Sequence, residues 1–527
     1  MKRMSLGLWL AAAATLVVTG MTPAGQAAAA DPSGPELLDA PALLDAKCSV
    51  CHARTPGGGL FRIQDQRKTP EGWSMTIERM QKWHGVELAE AEEASLVKYL
   101  ADTAGLAPEE AAPFRYALER RTVVETPDDA DLATMCARCH SYARPALQRR
   151  PEAEWRRLVN MHLGQWPTLE YQAGSRERKW WELASGALPA RLAAKWPLDS
   201  AAWTRWRRHR PADLAGTWQV AGHRPGRGDY RGTLTVSHDA GADRYGLAYR
   251  LTWEDGATQQ ASGGAVLYTG YEWRGAVALG DERISEVLQL SAKGDRLEGR
   301  WFVDGQDGLG GDMVAVRGSN AIAAVSPAAL KVGETRRVTI TGSGLGGAVS
   351  LGAGVRIDKV VSATADAVTV IASAAPKAKP GRRAVTVGTA KAPGLLAVYD
   401  ALTAIRVEPP TMLARTGGNG GPLPPALAQF EAVGYSGELR IGAMPAKWSS
   451  LGFDATAEHD QDAVFGGGLS ATGLFTPAEA GPNPRRGGGN NVANLLIKAE
   501  VADGAGTLAG TAHLIVSPQR WNDALIR

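Results

Sequence analysis

Two short motifs contain the residues of this sequence whose types and spacing point most directly to chemistry. Each has the pattern Cys-x-x-Cys-His, and their six defining residues are Cys48, Cys51, His52, Cys136, Cys139 and His140. This pattern is the attachment signature of a c-type haem, in which the histidine binds the iron. The sequence has four cysteines, and the two motifs use all of them. We therefore expect two covalently bound haem c groups, with His52 and His140 as proximal iron ligands.

Disulfide bonds and zinc are the other common uses of four cysteines. Disulfides are frequent in exported proteins, but they do not require a histidine directly after each cysteine pair. Paired zinc knuckles usually lie roughly 15–20 residues apart, whereas 84 residues separate Cys51 from Cys136. Haem attachment is the interpretation that accounts for both cysteine pairs and both histidines.

A predicted helix after the first motif carries a candidate for the sixth iron ligand. In residues 71–80, Trp73, Ile77 and Met80 share one helical face. Met80 follows Trp73 by seven residues, which is about two turns at roughly 3.6 residues per turn. We expect Met80 to be the sixth ligand of the first haem.

The second motif is followed by a helix with the same arrangement. In residues 154–162, one face contains Trp155, Leu158, Val159 and His162. His162 follows Trp155 by seven residues, so it occupies the position equivalent to Met80 if the two units are related. We expect His162 to be the sixth ligand of the second haem. A thioether ligand raises the reduction potential, so the predicted His/Met haem is more oxidising than the bis-His haem.

Three nearby residues compete for these roles. Met161 comes one residue before His162 and therefore points about 100° away from the face that carries Trp155. Met75 points away from the face that carries Trp73 for the same kind of reason. His84 follows Met80 by four residues and shares its face, so it stays open as an alternative ligand.

Basic residues close to the first motif offer a second kind of cofactor contact. Arg62, Arg67 and Lys68 follow it in sequence. They can neutralise haem propionates or belong to a solvated loop, and the sequence leaves both possibilities open.

The elements around the motifs are predicted to be helical over residues 36–210. Apolar residues recur there at steps of three and four. We expect two c-type units, a first half over residues 36–110 and a second half over residues 111–210. A packing helix at Ala89–Ala101 closes the first half, and one at Trp180–Trp196 closes the second.

After Pro211 the pattern changes to short alternating runs separated by glycine-containing turns, which is typical of strands with one buried face. About eight such runs predict an antiparallel β-barrel over residues 211–319. Two immunoglobulin-like β-sandwiches are expected over residues 320–402 and 403–527. The predicted fold is thus multidomain, with an α-helical di-haem cytochrome c domain followed by three all-β domains.

Composition and the N-terminus restrict the cell compartment and the partners. Lys2 and Arg3 precede an apolar run and a small-residue stretch ending near Ala30, which predicts a signal peptide over residues 1–30. The run is shorter than the roughly 20 residues that span a bilayer. A net charge of +3 gives no support for nucleic-acid binding. We expect an exported, periplasmic protein with no membrane span.

The whole arrangement resembles the alpha subunit of quinohemoprotein amine dehydrogenase. Six segments carry the resemblance: Cys48–His52, Lys68–Trp73, Arg79–Gly85, Cys136–His140, Asn160–Trp166 and Leu214–Trp218. The haem motifs alone are common to c-type cytochromes. Their combination with the β-rich tail is what makes the resemblance specific, and it extends over residues 36–527.

The resemblance implies a periplasmic heterotrimer that oxidises primary amines to aldehydes and ammonia. It implies a small partner subunit with a cysteine tryptophylquinone and a second partner with a β-propeller fold. Electrons then leave through the two haems to a soluble cytochrome c or blue-copper protein. No catalytic residue is expected on this chain itself.

Two other functions are compatible with the motifs. A self-contained di-haem enzyme, for example a peroxidase, requires one open or displaceable iron site. A non-enzymatic di-haem carrier would use its β domains to dock to another dehydrogenase. Binding of peroxide or carbon monoxide distinguishes the first alternative, and co-purification with a quinone-bearing subunit distinguishes the second.

Overall fold

The computed structural model describes residues 35–169, 179–239, 243–504, 506–519 and 524–526, and the predicted signal peptide lies outside these ranges. Within them the chain begins with a helical domain and continues as a mostly β region that includes a closed eight-stranded barrel. The predicted helical N-terminal part and the barrel are confirmed. In these ranges no helix has the length and apolar character needed to cross a membrane.

Short helices joined by loops form the helical domain. They are α1 (Ala40–Leu43), α2 (Pro70–His84), α3 (Glu90–Thr103), α4 (Pro108–Ala111), α5 (Arg115–Leu118), α6 (Ala130–Cys136), α7 (Ala143–Ala146), α8 (Glu152–Gln165), α9 (Trp180–Ser185), α10 (Leu188–Lys195) and α11 (Ala201–Trp206). A π-helical turn at Leu44–Cys48 follows α1, and a 3-10 turn at Ala112–Phe114 joins α4 to α5. Two strands, β1 (Arg67–Lys68) and β2 (Gln148–Arg149), pair with each other.

Helix α2 has clear sequence signals at both ends. The Thr69 side chain accepts a hydrogen bond from the Gly72 amide, and Pro70 occupies the first turn, where no amide hydrogen is needed. Gly85 ends the helix with φ 67°, a left-handed conformation that glycine adopts without strain. The buried face of α2, with Trp73 and Ile77, packs against α3. The predicted helices at residues 71–80 and 89–101 are therefore present as parts of α2 and α3.

Helix α8 has the equivalent place in the second half. Its buried residues Trp155 and Val159 pack against Leu188 and Leu192 of α10. The single helix expected at Trp180–Trp196 is wrong, because the structure has two helices there, α9 and α10. Gly186 leaves the helical conformation with ψ −110° and ends α9.

Eight strands form the barrel that follows. They are β3 (Gly216–Arg224), β4 (Gly228–His238), β5 (Arg244–Trp253), β6 (Thr258–Tyr268), β7 (Glu272–Leu279), β8 (Glu282–Leu290), β9 (Arg296–Val303) and β10 (Gln306–Val316). Each strand pairs with the next, and β10 pairs back with β3 to close the barrel. Alternate side chains fill the interior, among them Trp218, Trp273 and Trp301.

The next β region consists of two four-stranded sheets that share one core. Its strands are β11 (Ala321–Ser326), β12 (Ala329–Lys331), β13 (Thr335–Ser343), β14 (Val349–Ser350), β15 (Val355–Ala363), β16 (Ala367–Ala374), β17 (Gly381–Val387) and β18 (Ala390–Tyr399). The strand orders are β11-β13-β16-β15 and β12-β18-β17-β14. Val338, Val370, Val385 and Leu396, from both sheets, lie in the common core.

The last region is mostly β and also contains two short helices. Its strands are β19 (Ala404–Glu408), β20 (Thr411–Arg415), β21 (Ala428–Gln429), β22 (Glu431–Ser436), β23 (Leu439–Ala443), β24 (Lys447–Gly452), β25 (Gly467–Leu469), β26 (Leu474–Pro477), β27 (Ala493–Asp503) and β28 (Gly506–Ser517). Helices α12 (Ala455–His459) and α13 (Asp462–Phe465) lie between β24 and β25, and a 3-10 turn lies at Pro484–Arg486. Asp454 caps α12 by accepting from the Ala457 amide. The expectation of an all-β ending is wrong in this detail.

Polar contacts join the β regions to each other. The imidazole of His223 on β3 contacts Asp229 through Nδ1 at 2.7 Å and Glu431 on β22 through Nε2 at 2.6 Å. Ser326 at the end of β11 donates to the other oxygen of Asp229 at 2.7 Å. His223 therefore connects the barrel with the last β region. Its partner Asp229 connects the barrel with the region of two four-stranded sheets, β11–β18.

Candidate functional site

The first Cys-x-x-Cys-His motif forms one tight turn. Cys48 ends the π-helical turn, and its carbonyl accepts hydrogen bonds from the amides of Cys51 at 3.2 Å and His52 at 2.9 Å. Cys48 is half-buried, Cys51 is exposed, and both thiols are free. Burial and the neighbouring Cys51 raise the pKa of Cys48. The backbone thus gathers two free thiols and an imidazole on one short segment.

The second motif begins at the end of helix α6. Cys136 is the last residue of this helix, Cys139 is exposed, and both thiols are free. Burial, with a smaller contribution from the charge of Asp129, raises the pKa of Cys136 to about 12. The four cysteines therefore form no disulfide. In the described ranges no three His, Cys, Asp or Glu side chains are grouped as a metal site.

Three histidines share a hydrogen-bonding pattern that suits an iron ligand. The Nδ1 atom lies 3.0 Å from the Phe61 carbonyl in His52, 2.9 Å from the Ser141 carbonyl in His140 and 2.8 Å from the Leu158 carbonyl in His162. A carbonyl oxygen only accepts, so Nδ1 carries the proton and Nε2 keeps its lone pair. Histidines that bind metals are commonly oriented in this way.

The other six histidines lack this pattern in the described part of the chain. His223 and His459 place Nδ1 on carboxylates, and His513 places Nε2 on an asparagine. His84 is exposed on the last turn of α2. The pattern therefore selects the three histidines that the sequence predicts as ligands.

His140 and His162 lie close enough to interact electrostatically. Burial lowers the pKa of His140 to about 4, and the cations Arg144 and His162 lower it further. Burial also lowers the pKa of His162, with contributions from Arg144 and Arg79. The structure thus places the two predicted iron ligands of the second half near each other, in surroundings that disfavour the charged form of each imidazole.

The methionines near the first motif differ in their surroundings. Met75 packs against a hydrophobic core that includes Leu106 and Leu147. The Met161 sulfur lies 3.9 Å from the guanidinium of Arg79. Met80 is half-buried one turn before His84. Met75 thus packs in a core and Met161 contacts Arg79. Met80 and His84 stay the two candidates for the predicted sixth ligand of the first haem.

Equivalent positions in the two halves make equivalent contacts. The halves align with an offset of 82 residues, from Trp73 to Trp155 and from Met80 to His162. Lys68 lies over the ring of Trp73 at 4.9 Å, and at the same offset the Arg150 guanidinium lies over Trp155 at 5.7 Å. This matching pair of cation–ring contacts supports the alignment that makes Met80 and His162 equivalent positions.

The halves meet through residues that are equivalent to each other. In the β1–β2 pair, Arg67 lies opposite Arg149, which is 82 residues later. Arg79 contacts Met161, again 82 residues later. These two contacts between equivalent positions indicate a local two-fold axis between the halves.

Sequence reasoning missed two cations at this interface. Arg79 lies one residue before Met80, and Arg144 follows His140 by four residues. Arg79 begins the segment Arg79–Gly85 that carries the family resemblance, but the sequence assigned no role to it, and Arg144 lies in none of those segments. Arg67, which the sequence left between a propionate contact and a solvated loop, is instead buried and ion-paired with Glu110 at 2.8 Å.

These residues fit a c-type haem in each half. Each motif supplies two free thiols and a histidine whose Nε2 has its lone pair available. His162 adds a second such imidazole near the second motif. The Nε of Arg79 and the indole nitrogen Nε1 of Trp155 are buried donors without an acceptor in the described ranges, and haem carboxylates are acceptors. The donor set therefore suits the group.

Four family models match successive parts of the chain. The haem-binding model of the quinohemoprotein amine dehydrogenase alpha subunit matches residues 38–203. The models of alpha-subunit domains II, III and IV match residues 211–318, 319–400 and 405–526. Together they span most of the chain.

Comparisons with individual proteins are less informative. A search of curated proteins found no match. A redesigned beta barrel is 16% identical over 20% of this chain and 92% of its own, with a TM-score of 0.18. A de novo fluorescence-activating beta barrel is 22% identical over 19% of this chain and 91% of its own (TM-score 0.17). Domains 5–6 of the S-layer protein SbsC are 14% identical over 37% and 97% (TM-score 0.15). With TM-scores this low, only the family models bear on identity.

Proposed function

Because the chain belongs to the quinohemoprotein amine dehydrogenase alpha-subunit family, we propose that it is the di-haem electron-transfer subunit of a periplasmic amine dehydrogenase. The family's N-terminal domain binds haem. In the proposed complex a partner subunit oxidises a primary amine to an aldehyde and ammonia. This chain conducts the released electrons to a soluble acceptor.

One observation carries the proposal of two covalent haems. Each half presents two free cysteines and a histidine whose Nδ1 is fixed by a backbone carbonyl. Cys48 and Cys51 attach the first haem, and Cys136 and Cys139 attach the second. A fixed Nδ1 orients the ring and raises the basicity of Nε2, so His52 and His140 are oriented to bind iron through Nε2.

The residues that would complete the ligands of each iron determine whether the site transfers electrons or binds small molecules. Haem iron supplies one-electron oxidation and reduction when it is bound. We propose Met80 and His162 as the sixth ligands, so that both axial positions in each half are occupied by protein. Filled positions favour electron transfer over binding of oxygen or peroxide, and a thioether ligand gives its site the higher potential.

The partners follow from the chemistry that this chain lacks. All four of its cysteines lie in the haem motifs, so none remains for a cysteine tryptophylquinone. We propose a small partner subunit that carries this quinone, a β-propeller subunit, and a cytochrome c or blue-copper acceptor. The barrel and two immunoglobulin-like domains, over residues 211–319, 320–402 and 403–527, would form the docking scaffold. The signal peptide over residues 1–30 would direct the chain to the periplasm.

The test begins with the haem content of the purified full chain. We expect two haems per chain that stay attached in denaturing acid–acetone. Replacement of Cys48 and Cys51 by Ala should leave one covalent haem, and so should replacement of Cys136 and Cys139. Haem that is extracted from the wild-type chain would contradict covalent attachment.

The physiological role is tested on the native complex. We expect primary amines to reduce the haems of the complex but not those of the isolated chain, because the quinone lies on a partner. Absence of reduction by any primary amine would favour a carrier for another dehydrogenase. Carbon monoxide or peroxide binding to the isolated chain would favour the self-contained enzyme.

A further inference from the structure

Four basic side chains gather where the two halves of the helical domain meet. We call them the inter-half cation cluster: Lys68, Arg79, Arg144 and Arg150. Lys68 is 1% exposed and Arg150 is 3% exposed, while Arg79 and Arg144 are half-buried. The charges interact with each other, since burial and the cations Arg150 and Arg79 lower the pKa of Lys68. The Thr76 hydroxyl accepts hydrogen bonds from both Lys68 and Arg79, so these two cations lie close together.

Among the described residues, carboxylates do not balance this charge. Glu154, which is 1% exposed, lies 3.9 Å from Arg150, but it also pairs with Arg62 at 3.3 Å and with Arg157 at 2.5 Å. Lys68, Arg79 and Arg144 have no carboxylate within 4 Å in the described ranges. A buried charge without a counter-charge is costly. The cluster is therefore suited to binding an anion.

The hydrogen-bond donors of the cluster point to the same conclusion. Arg79 uses its terminal nitrogens on Thr76 and Met161, but its Nε is buried without an acceptor. The Trp155 indole nitrogen, beside Arg150, is also buried without one. In the first half the equivalent nitrogen of Trp73 donates to the Ala104 carbonyl at 3.0 Å. In the described ranges the buried nitrogens of Arg79 and Trp155 therefore lack a hydrogen-bond acceptor, and both lie near the other cations of the cluster.

The cluster lies beside the proposed iron ligands of the second half. The Arg79 guanidinium lies 3.9 Å from the sulfur of Met161, the residue before His162, and Arg144 follows His140 by four residues. Arg79 belongs to α2 of the first half, whereas Arg144 belongs to α7 of the second. Both halves therefore contribute positive charge next to the same haem position.

We propose that the inter-half cation cluster binds haem propionate carboxylates, and that Arg79 and Arg144 serve the haem attached at Cys136 and Cys139. This inference rests on the proposed function. Guanidinium groups bind carboxylates through two parallel hydrogen bonds, and each propionate supplies the negative charge that the cluster lacks. The first half thereby helps to hold the cofactor of the second. The cluster also favours the reduced, less positive iron and raises the reduction potential of that haem.

The test uses the full-length haem-loaded chain and three substitutions. Arg79→Gln and Arg144→Gln each remove one cation of the cluster. Arg156→Gln is the matched control, because Arg156 lies on α8, is half-exposed, and pairs with Glu152 at 2.7 Å. The haem content of each chain is measured first. A wild-type chain without two covalent haems would contradict the proposed function rather than this inference.

Two readouts then test the cluster. In Arg79→Gln and Arg144→Gln we expect a shifted propionate bending band in the resonance Raman spectrum and a lower midpoint potential of one haem, with the other haem unchanged. Arg156→Gln should match the wild type in both. Two haems per chain with an unshifted band and unchanged potentials in both cluster variants would overturn the inference.

Charge-conserving variants cover the case in which a glutamine variant does not fold. Arg79→Lys and Arg144→Lys keep the positive charge but lose the planar fork of donors. We expect each to shift the propionate band while largely retaining the midpoint potential. An unshifted band in both lysine variants would overturn the inference as well.

Discussion

Arg67 and Arg149 lie directly opposite each other in the two-stranded sheet that joins the halves of the helical domain. Both bind one carboxylate: Arg67 donates two hydrogen bonds to Glu110, at 2.8 and 2.9 Å, and Arg149 donates one at 3.2 Å. Burial opposes ionisation of Glu110, but its contacts with Arg67 and Arg149 outweigh this effect and lower its pKa to about 2. The single carboxylate of Glu110 therefore binds both Arg67 and Arg149, the two arginines that face each other at the local two-fold axis.

Removal of this carboxylate should destabilise the helical domain strongly. Glu110→Gln leaves two buried guanidinium groups without a counter-charge, at a cost of about 3–5 kcal/mol. The neighbouring Glu109→Gln is the control, because Glu109 pairs with Arg205 in an exposed contact worth about 0–1 kcal/mol. Urea unfolding of both variants measures the difference. Equal stabilities would show that Glu110 does not hold the halves together.

The contact of His223 with Asp229 and Glu431 should make stability depend on pH in the alkaline range. Burial opposes the charged imidazole, but hydrogen bonds to the two carboxylates outweigh it and raise the pKa of His223 to about 10. Arg440, 3.9 Å from Glu431, is a further charge in contact with this group. The stabilisation is complete below the unfolded pKa of about 6.5 and is lost as the pH rises through about 10.

Replacement of this histidine provides the measurement. His223→Gln should lower the unfolding free energy by about 1–3 kcal/mol near pH 6, and the difference from the wild type should shrink towards pH 10. His238→Gln serves as control, since His238 pairs with Asp213 in an exposed contact. A difference that stays constant from pH 6 to pH 10 would contradict the assignment.

Three substitutions on α2 distinguish the candidates for the sixth ligand of the first haem. Met80→Ala should lower the higher midpoint potential, because the thioether ligand is lost, and should remove the His/Met band from the near-infrared magnetic circular dichroism spectrum. His84→Ala should change neither property. Met75→Ala should leave the spectrum unchanged and cost about 2 kcal/mol of stability through lost packing. Loss of the band in His84→Ala would transfer the ligand role to His84.

Gly105 should tolerate no side chain, because it lies at the contact between the helical domain and the barrel. A Cβ there would approach the Ala101 carbonyl oxygen to 2.2 Å and the Thr269 hydroxyl to 2.8 Å. Gly105→Ala should therefore destabilise the protein by about 1–3 kcal/mol. Gly468→Ala is the matched control, since its Cβ has no neighbour within 4 Å. Thermal unfolding of the two variants gives the comparison, and equal midpoints would argue against a tight contact.

Periodic patterns predicted the elements whose packing is local. The spacing of Trp73 from Met80 and of Trp155 from His162 placed α2 and α8 correctly, because a buried helical face repeats every 3.6 residues. Alternation in runs such as Tyr245–Trp253 predicted barrel strands in the same way. The prediction of a single helix over Trp180–Trp196 was wrong because apolar residues continue at helical spacing across Gly186. The helical backbone conformation ends at Gly186.

Contacts between distant segments left no such pattern. Strands β1 and β2 have two residues each, too few for any periodicity, and their pairing joins positions 82 residues apart. The sharing of Glu110 by Arg67 and Arg149 depends on this pairing. The roles of Arg79 and Arg144 likewise arise only when the halves meet, because each is an ordinary basic residue in its own segment.

The contacts between equivalent positions of the two halves have a consequence for what the halves can bind. Contacts of this kind are those of a symmetric homodimer, in which both copies carry the same residue at every position. Here both halves belong to one chain, so their sequences are free to differ. Position 80 is methionine and its counterpart 162 is histidine, so the two halves present different side chains at equivalent places.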